Sequence, residues 1–165
     1  MYQRILVPLD GSATSKQGLD EAIRLAAQTH GRLQLVHVVD SQSMAMAIGL
    51  AAGPVGDCFE VLARNGRQIL DDGRAAAAAA GVEAETLLHD GASNPVHELI
   101  AADASRWPAD LIVIGTHGRR GVERFVVGSC AEYLLRCTPV PVLLVRAPTT
   151  AALTHGDVHG HRPAH

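Results

Sequence analysis

Aromatic residues are scarce in this chain: Tyr2, Phe59, Trp107, Phe125 and Tyr133 make up 3% of its 165 positions. A site built on ring stacking, such as flavin binding of the flavodoxin type, therefore has little to work with. Excess positive charge is missing as well. The formal net charge of −3 excludes a broadly basic nucleic-acid surface and makes any attraction for phosphate a local matter. Cys58, Cys130 and Cys137 are odd in number and form no Cys-x-x-Cys pair, so free thiols in a reducing, cytoplasmic setting are expected. No apolar run reaches the length of a membrane span, so no membrane partner is expected. The strand pattern from Arg4 onward is expected to leave no room for a signal peptide. The first strand lacks Gly-x-Gly-x-x-Gly after it, and no Walker A sequence is present. Dinucleotide-dependent oxidoreductases and P-loop enzymes are thereby disfavoured.

What the chain does have is small and β-branched apolar residues, within a hydrophobic share of 47%. They fall into short runs alternating with longer helical patterns. Residues 5–9 read as a strand that ends at Asp10-Gly11-Ser12. Leu19, Ala22, Ile23 and Ala26 recur at helical spacing over 15–28, with Ser12 or Ser15 as cap and Gly31 beyond the end. A second strand follows at 33–39, then a stretch without period at 40–56, read as a loop. The helix expected over 57–80 carries Gly66 and Gly73 inside it, each weakening it by roughly 1 kcal/mol relative to Ala.

The alternation of Val82, Ala84, Thr86 and Leu88 with polar neighbours marks a half-exposed strand at a sheet edge. Asn94-Pro95 opens a helix to about Ser105, and residues 110–114 read as a fully buried strand. A helix from Ser129 to Arg136 and a strand from Val140 to Val145 complete the pattern. This order predicts an α/β domain over residues 1–147: a three-layer, open parallel five-stranded sheet with helices on both faces, Rossmann-like. Residues 148–165, with His155, His159, His161 and His165, read as a flexible tail. Its Gly- and Pro-broken setting fixes no metal geometry.

Ligands of open parallel sheets bind beyond the carboxyl ends of the strands. Two such ends are rich in loop chemistry here: Asp10-Gly11-Ser12, and Gly115-Thr116-His117-Gly118. Gly115, Gly118, Gly128 and Ser129 are spaced Gly-x2-Gly-x9-Gly-Ser. The first two glycines admit close backbone approach. Gly128 and Ser129 stand where a helix begins and its unpaired amides and dipole favour an anion. Ser129 would either bind phosphate or cap the helix. Arg119, Arg120 and Arg124 make a local positive patch against the single Glu123. Cys130 and Cys137 share a helix face and read as buried thiols, with a lowered pKa at Cys130 as the redox-sensing alternative.

The stretch from Gly115 to Ser129 resembles the ATP-binding motif of the universal stress proteins. The opening Arg4-Ile-Leu-Val-Pro-Leu-Asp-Gly-Ser12 and the close Pro139-Val-Pro-Val-Leu-Leu-Val-Arg146 resemble that family's first and last strands. The resemblance implies strand order 3-2-1-4-5. It also implies that Pro8, Leu9, Asp10 and Val39 line the adenine and ribose side. Gly115, His117, Gly118, Gly128, Ser129 and Cys130 would wrap ribose and phosphates, with Thr116 and Arg119 in the same loop. Asp10 would help place a magnesium ion. Ala131 stands where many members have Ser or Thr, removing one phosphate contact.

The function expected on this basis is a stress-response regulatory protein that binds ATP or AMP and works as a dimeric switch toward a downstream protein. Self-pairing of the apolar edge strand from Val140 to Val145 would form the homodimer. Slow ATP hydrolysis or phosphoryl transfer, and a ligand-free dimeric scaffold, are the rival readings.

Overall fold

The computed structural model describes residues 2–39, 55–89, 94–116 and 128–146, with side chains from 59 onward in the second stretch. Among them the chain forms β1 (Arg4–Pro8), α1 (Ala13–Thr29), β2 (Arg32–Val38), α2 (Val55–Ala79) and β3 (Glu83–His89). It continues through α3 (Val96–Arg106), β4 (Leu111–Gly115), α4 (Ser129–Cys137) and β5 (Val142–Val145). The strands are all parallel and lie in the order β3-β2-β1-β4-β5. The expected fold and strand order are therefore the observed ones. The tail at 148–165 and most of the loop at 40–56 lie outside the described residues.

Alternation of side chains along each strand divides the core into two layers. Ile5 and Val7 of β1 join Leu33, Leu35 and Val113 against Leu19, Ala22 and Ala26 of α1 and Leu70 and Ala77 of α2. Leu6, Val36, Ile112 and Ile114 face the other way, against Ile100 and Ala104 of α3 and Ala131 and Leu134 of α4. Central strands buried on both sides favour unbroken apolar runs, as Ile5, Leu6 and Val7 of β1 and Leu111–Ile114 of β4 provide. β3 exposes Glu83, Glu85 and Thr86, as an edge strand does.

The two interior glycines of α2 have a packing role that their helix propensity hides. A Cβ on Gly66 would stand 2.6 Å from Cδ2 of His37 and 2.8 Å from Leu88, and one on Gly73 would stand 3.0 Å from Leu35 and 3.1 Å from Leu9. Both glycines let the helix backbone lie close on the sheet. At the other edge β5 is shorter than expected, starting at Val142. Pro139 and Pro141 have no N–H to give to a ladder, although the Pro141 carbonyl still accepts from Ile112 N–H at 2.9 Å.

The chain winds from β1 outward to β3 and then returns to β4 on the opposite side of β1. The reversal point, where the carboxyl ends of two adjacent strands diverge, thus falls between β1 and β4.

Candidate functional site

At the end of β1, Pro8 is half-buried and the Leu9 side chain enters the core. Leu9 is held at both of its backbone groups: its N–H donates to the Val36 carbonyl at 2.8 Å, and its carbonyl accepts from Nδ1 of His37 at 2.7 Å. Asp10 then turns the chain. Its Oδ1 accepts the Ser12 N–H at 2.9 Å, and Gly11 takes φ +79°, a conformation that favours glycine. Ser12 caps α1 through Oγ, which accepts the Ser15 N–H at 3.1 Å. Strand, turn and helix start therefore form one hydrogen-bonded unit.

At the end of β4, Gly115 serves helix packing. A Cβ there would meet the Thr14 carbonyl carbon and oxygen at 2.6 Å and the Ser15 nitrogen at 2.9 Å, so the start of α1 rests directly on this glycine. Thr116 is buried, 2% exposed. Its N–H donates to the Val145 carbonyl at 2.9 Å and its carbonyl accepts the Gly128 N–H at 2.8 Å. The two ends of the 117–127 segment are thereby fastened together. His117, Gly118 and Arg119 belong to that segment and lie outside the described residues.

Helix α4 begins here. Gly128 is its N-cap and its carbonyl accepts the Glu132 N–H at 3.0 Å. Ser129 is the first helical residue and is exposed, so of its two alternatives, phosphate contact or helix cap, the cap is not taken up; the cap falls one residue earlier. The Ser129 hydroxyl instead stands at the open, dipole-positive end of the helix.

Cys130 sits next along. Burial, and secondarily the nearby Asp10 carboxylate, push its thiol from the ordinary 9.0 up to about 11. Loss of hydration disfavours the thiolate, and a neighbouring negative charge does the same. The redox-sensing alternative calls for a lowered pKa, and the shift runs the other way. Cys137, expected to be buried on the same face, is exposed at the helix end. Ala131 is 2% exposed and packs in the core layer beneath α4.

Asp10, Thr116, Gly128 and Cys130 are thus gathered at the β1/β4 reversal point, with Ser129 at the mouth. Val39 lies one strand over, just past β2, buried, with its N–H donating to the His89 carbonyl at 2.9 Å. Two polar groups escaped the sequence reading. His37, 5% exposed, lies inside a core strand, and its one signal is a lone polar ring within the apolar run 33–39. Asp103, 2% exposed, holds Nε2 of His89 at 2.6 Å and Nη1 of Arg106 at 3.0 Å. That cluster ties α3 to the end of β3.

An open depression of about 560 Å³ lies at the opposite, amino-terminal end of the sheet, lined by Gln3, Arg4, His30, Gly31, Arg32, Glu83 and Asp110. Its charges are largely committed. Asp110 takes the N–H groups of Gln3 and Arg4 at 2.9 and 3.1 Å, and the Arg32 guanidinium lies 5.6 Å from the Trp107 ring centre. The carboxyl end combines an open helix start with strand ends that diverge, the geometry at which parallel sheets of this kind bind ligands. Among the described residues no group of three or more His, Cys, Asp or Glu side chains could hold a metal ion. No helix among them is long and apolar enough to cross a membrane.

The model of the Universal stress protein family matches residues 1–146. A universal stress protein of Methanocaldococcus jannaschii is 32% identical over 149 residues, which cover 90% of this chain and 84% of that protein. The crystal structure of a protein from the same family from Burkholderia pseudomallei matches with a TM-score of 0.69 at 34% identity, covering 88% of this chain and 97% of that one. The universal stress protein from Archaeoglobus fulgidus in complex with dAMP shares the fold at a TM-score of 0.61 and 22% identity, covering 87% and 98% of the two chains.

Proposed function

The chain belongs to the universal stress protein family, and from that premise we propose that it binds an adenine nucleotide, ATP or AMP, between the ends of β1 and β4. Binding would serve as a regulatory switch in the cell's response to stress. One observation carries the reading: the Asp10 turn, the Thr116–Gly128 closure and the open start of α4 converge at the reversal point of a parallel sheet. The dAMP complex of the relative from Archaeoglobus fulgidus supports the choice of an adenine nucleotide.

In this reading the first amides of α4, the Ser129 hydroxyl and the loop containing His117, Gly118 and Arg119 hold the phosphates. Pro8, Leu9, Asp10 and Val39 face the base and ribose. A carboxylate beside phosphates calls for a cation between them, and Asp10 would supply that ligand to Mg²⁺. The ion's contribution would be charge neutralisation. Holding the nucleotide is favoured over consuming it, because Asp10 is given to the cation in this reading and Cys130 is held as a thiol. β5, half-buried at the sheet edge, would pair with its copy to form a cytoplasmic homodimer.

The test is direct. Protein purified without added nucleotide is denatured and the supernatant is chromatographed. Co-purified ATP or AMP is expected, and Gly118→Val should lose it while retaining the wild-type circular dichroism spectrum. Absence of any adenine nucleotide, together with no heat of ATP binding by calorimetry, would remove the ligand from this account.

A further inference from the structure

His37 presents a puzzle of placement. An imidazole buried beside Leu9 and Leu88 costs desolvation unless it is bonded, whereas Leu at the same point would bury without that cost. The ring is nevertheless accommodated by a second residue. α2 has glycine at position 66, where a Cβ would stand 2.6 Å from Cδ2 and 3.1 Å from Nε2 of this ring. Helix and strand therefore make room together for a polar group 5% exposed.

What the ring does there is bond Leu9. Nδ1 donates to the Leu9 carbonyl at 2.7 Å, while the Leu9 N–H reaches Val36 on the same neighbouring strand at 2.8 Å. Both backbone groups of Leu9 are thus drawn toward β2. In a trans peptide the carbonyl and the following N–H point in opposite directions. Fixing the Leu9 carbonyl toward β2 therefore directs the Asp10 N–H toward the β4 side, where the crevice lies, and sets the start of the Asp10–Ser12 turn.

We propose that His37 is the positioning residue of the crevice: seated in the space Gly66 leaves, it holds the Leu9–Asp10 peptide in the orientation that presents Asp10 to the ligand. The inference rests on the reading of this crevice as an adenine-nucleotide site. His37 itself touches no ligand, and its effect passes through Leu9.

Two variants separate the bond from the packing. His37→Leu fills the space without a donor, and His37→Asn places an N–H near the position of Nδ1. Amide hydrogen exchange at Ser12, whose N–H is held by Asp10, is measured on nucleotide-free protein, and ATP affinity is measured by calorimetry. The leucine variant is expected to fold, with Ser12 exchange about tenfold faster and ATP binding about tenfold weaker. The asparagine variant should return both to within about threefold of wild type. A merely structural role would not be restored by a less apolar side chain. Should leucine fail to fold, His37→Met supplies a flexible, donor-free filling of the same space.

Wild-type exchange and wild-type affinity in the donor-free variant would overturn the proposal, as would an asparagine variant no better than leucine. If wild-type protein binds no ATP, the nucleotide reading fails. The Ser12 exchange then still decides whether His37 holds the turn: faster exchange in the donor-free variant, reversed by asparagine, supports it, and no change overturns it.

Discussion

Cys130 shows how one residue reports on the assembly of the crevice. Its thiol is raised to about 11 by burial and by Asp10, a residue 120 positions away in sequence. A group with a raised folded pKa stabilises the fold while it stays protonated, and that contribution is lost as pH rises from the ordinary 9.0 through about 11. Denaturation of wild type should therefore grow easier between these values than denaturation of Cys130→Ala. Asp10→Asn removes one of the two causes and should lower the Cys130 pKa, read from the pH dependence of its alkylation rate. An unchanged pKa would separate Asp10 from α4. At pH 8 label should appear on exposed Cys137 before Cys130. The sequence supported two readings of this thiol, a buried packing group or one with a pKa lowered at a helix start; it could not show that Asp10 stands near it.

Helices and strands were legible as periods. α1, β4 and the order of all the described elements follow from apolar spacing, and the cap of α1 was narrowed to Ser12 or Ser15, of which Ser12 is the observed one. The meaning of individual glycines was hidden, because it depends on which side chain of another element lies opposite. Gly66→Ala should gain roughly 1 kcal/mol of helix propensity and lose about 2–3 to crowding against the His37 ring, for a net loss of stability. Gly73 faces the movable ends of Leu35, Leu9 and Leu19, so Gly73→Ala should change stability by less than about 1 kcal/mol. Urea denaturation of the two variants distinguishes them. Gly115→Ala presses on the backbone of Thr14 and Ser15 and should cost about 3 kcal/mol. This glycine was readable as a ligand-approach position from its motif; the helix resting on it was not readable.

For the molecule as a whole, the strand order follows from a chain that winds outward from β1 and then reverses. That order leaves β5 at an edge. The carbonyls of Pro141 and Val145 face β4, accepting the N–H groups of Ile112 and Thr116, so the Val142 N–H points outward. Val142→Pro should therefore leave the internal ladder whole while blocking pairing with a second copy. Light scattering is expected to find a dimer for wild type and a monomer for this variant at micromolar concentration. A wild-type monomer, with or without ATP, would end the dimer proposal.

The central claim is that an adenine nucleotide occupies the reversal point between β1 and β4. Amide chemical shifts recorded while ATP is added test it most directly. Saturable shifts are expected at Asp10, Gly11, Ser12, Val39, Thr116 and Gly128 to Cys130, with Arg4, Arg32 and Asp110 at the opposite end of the sheet unmoved. Shifts confined to that opposite end, or none at millimolar ATP, would contradict it.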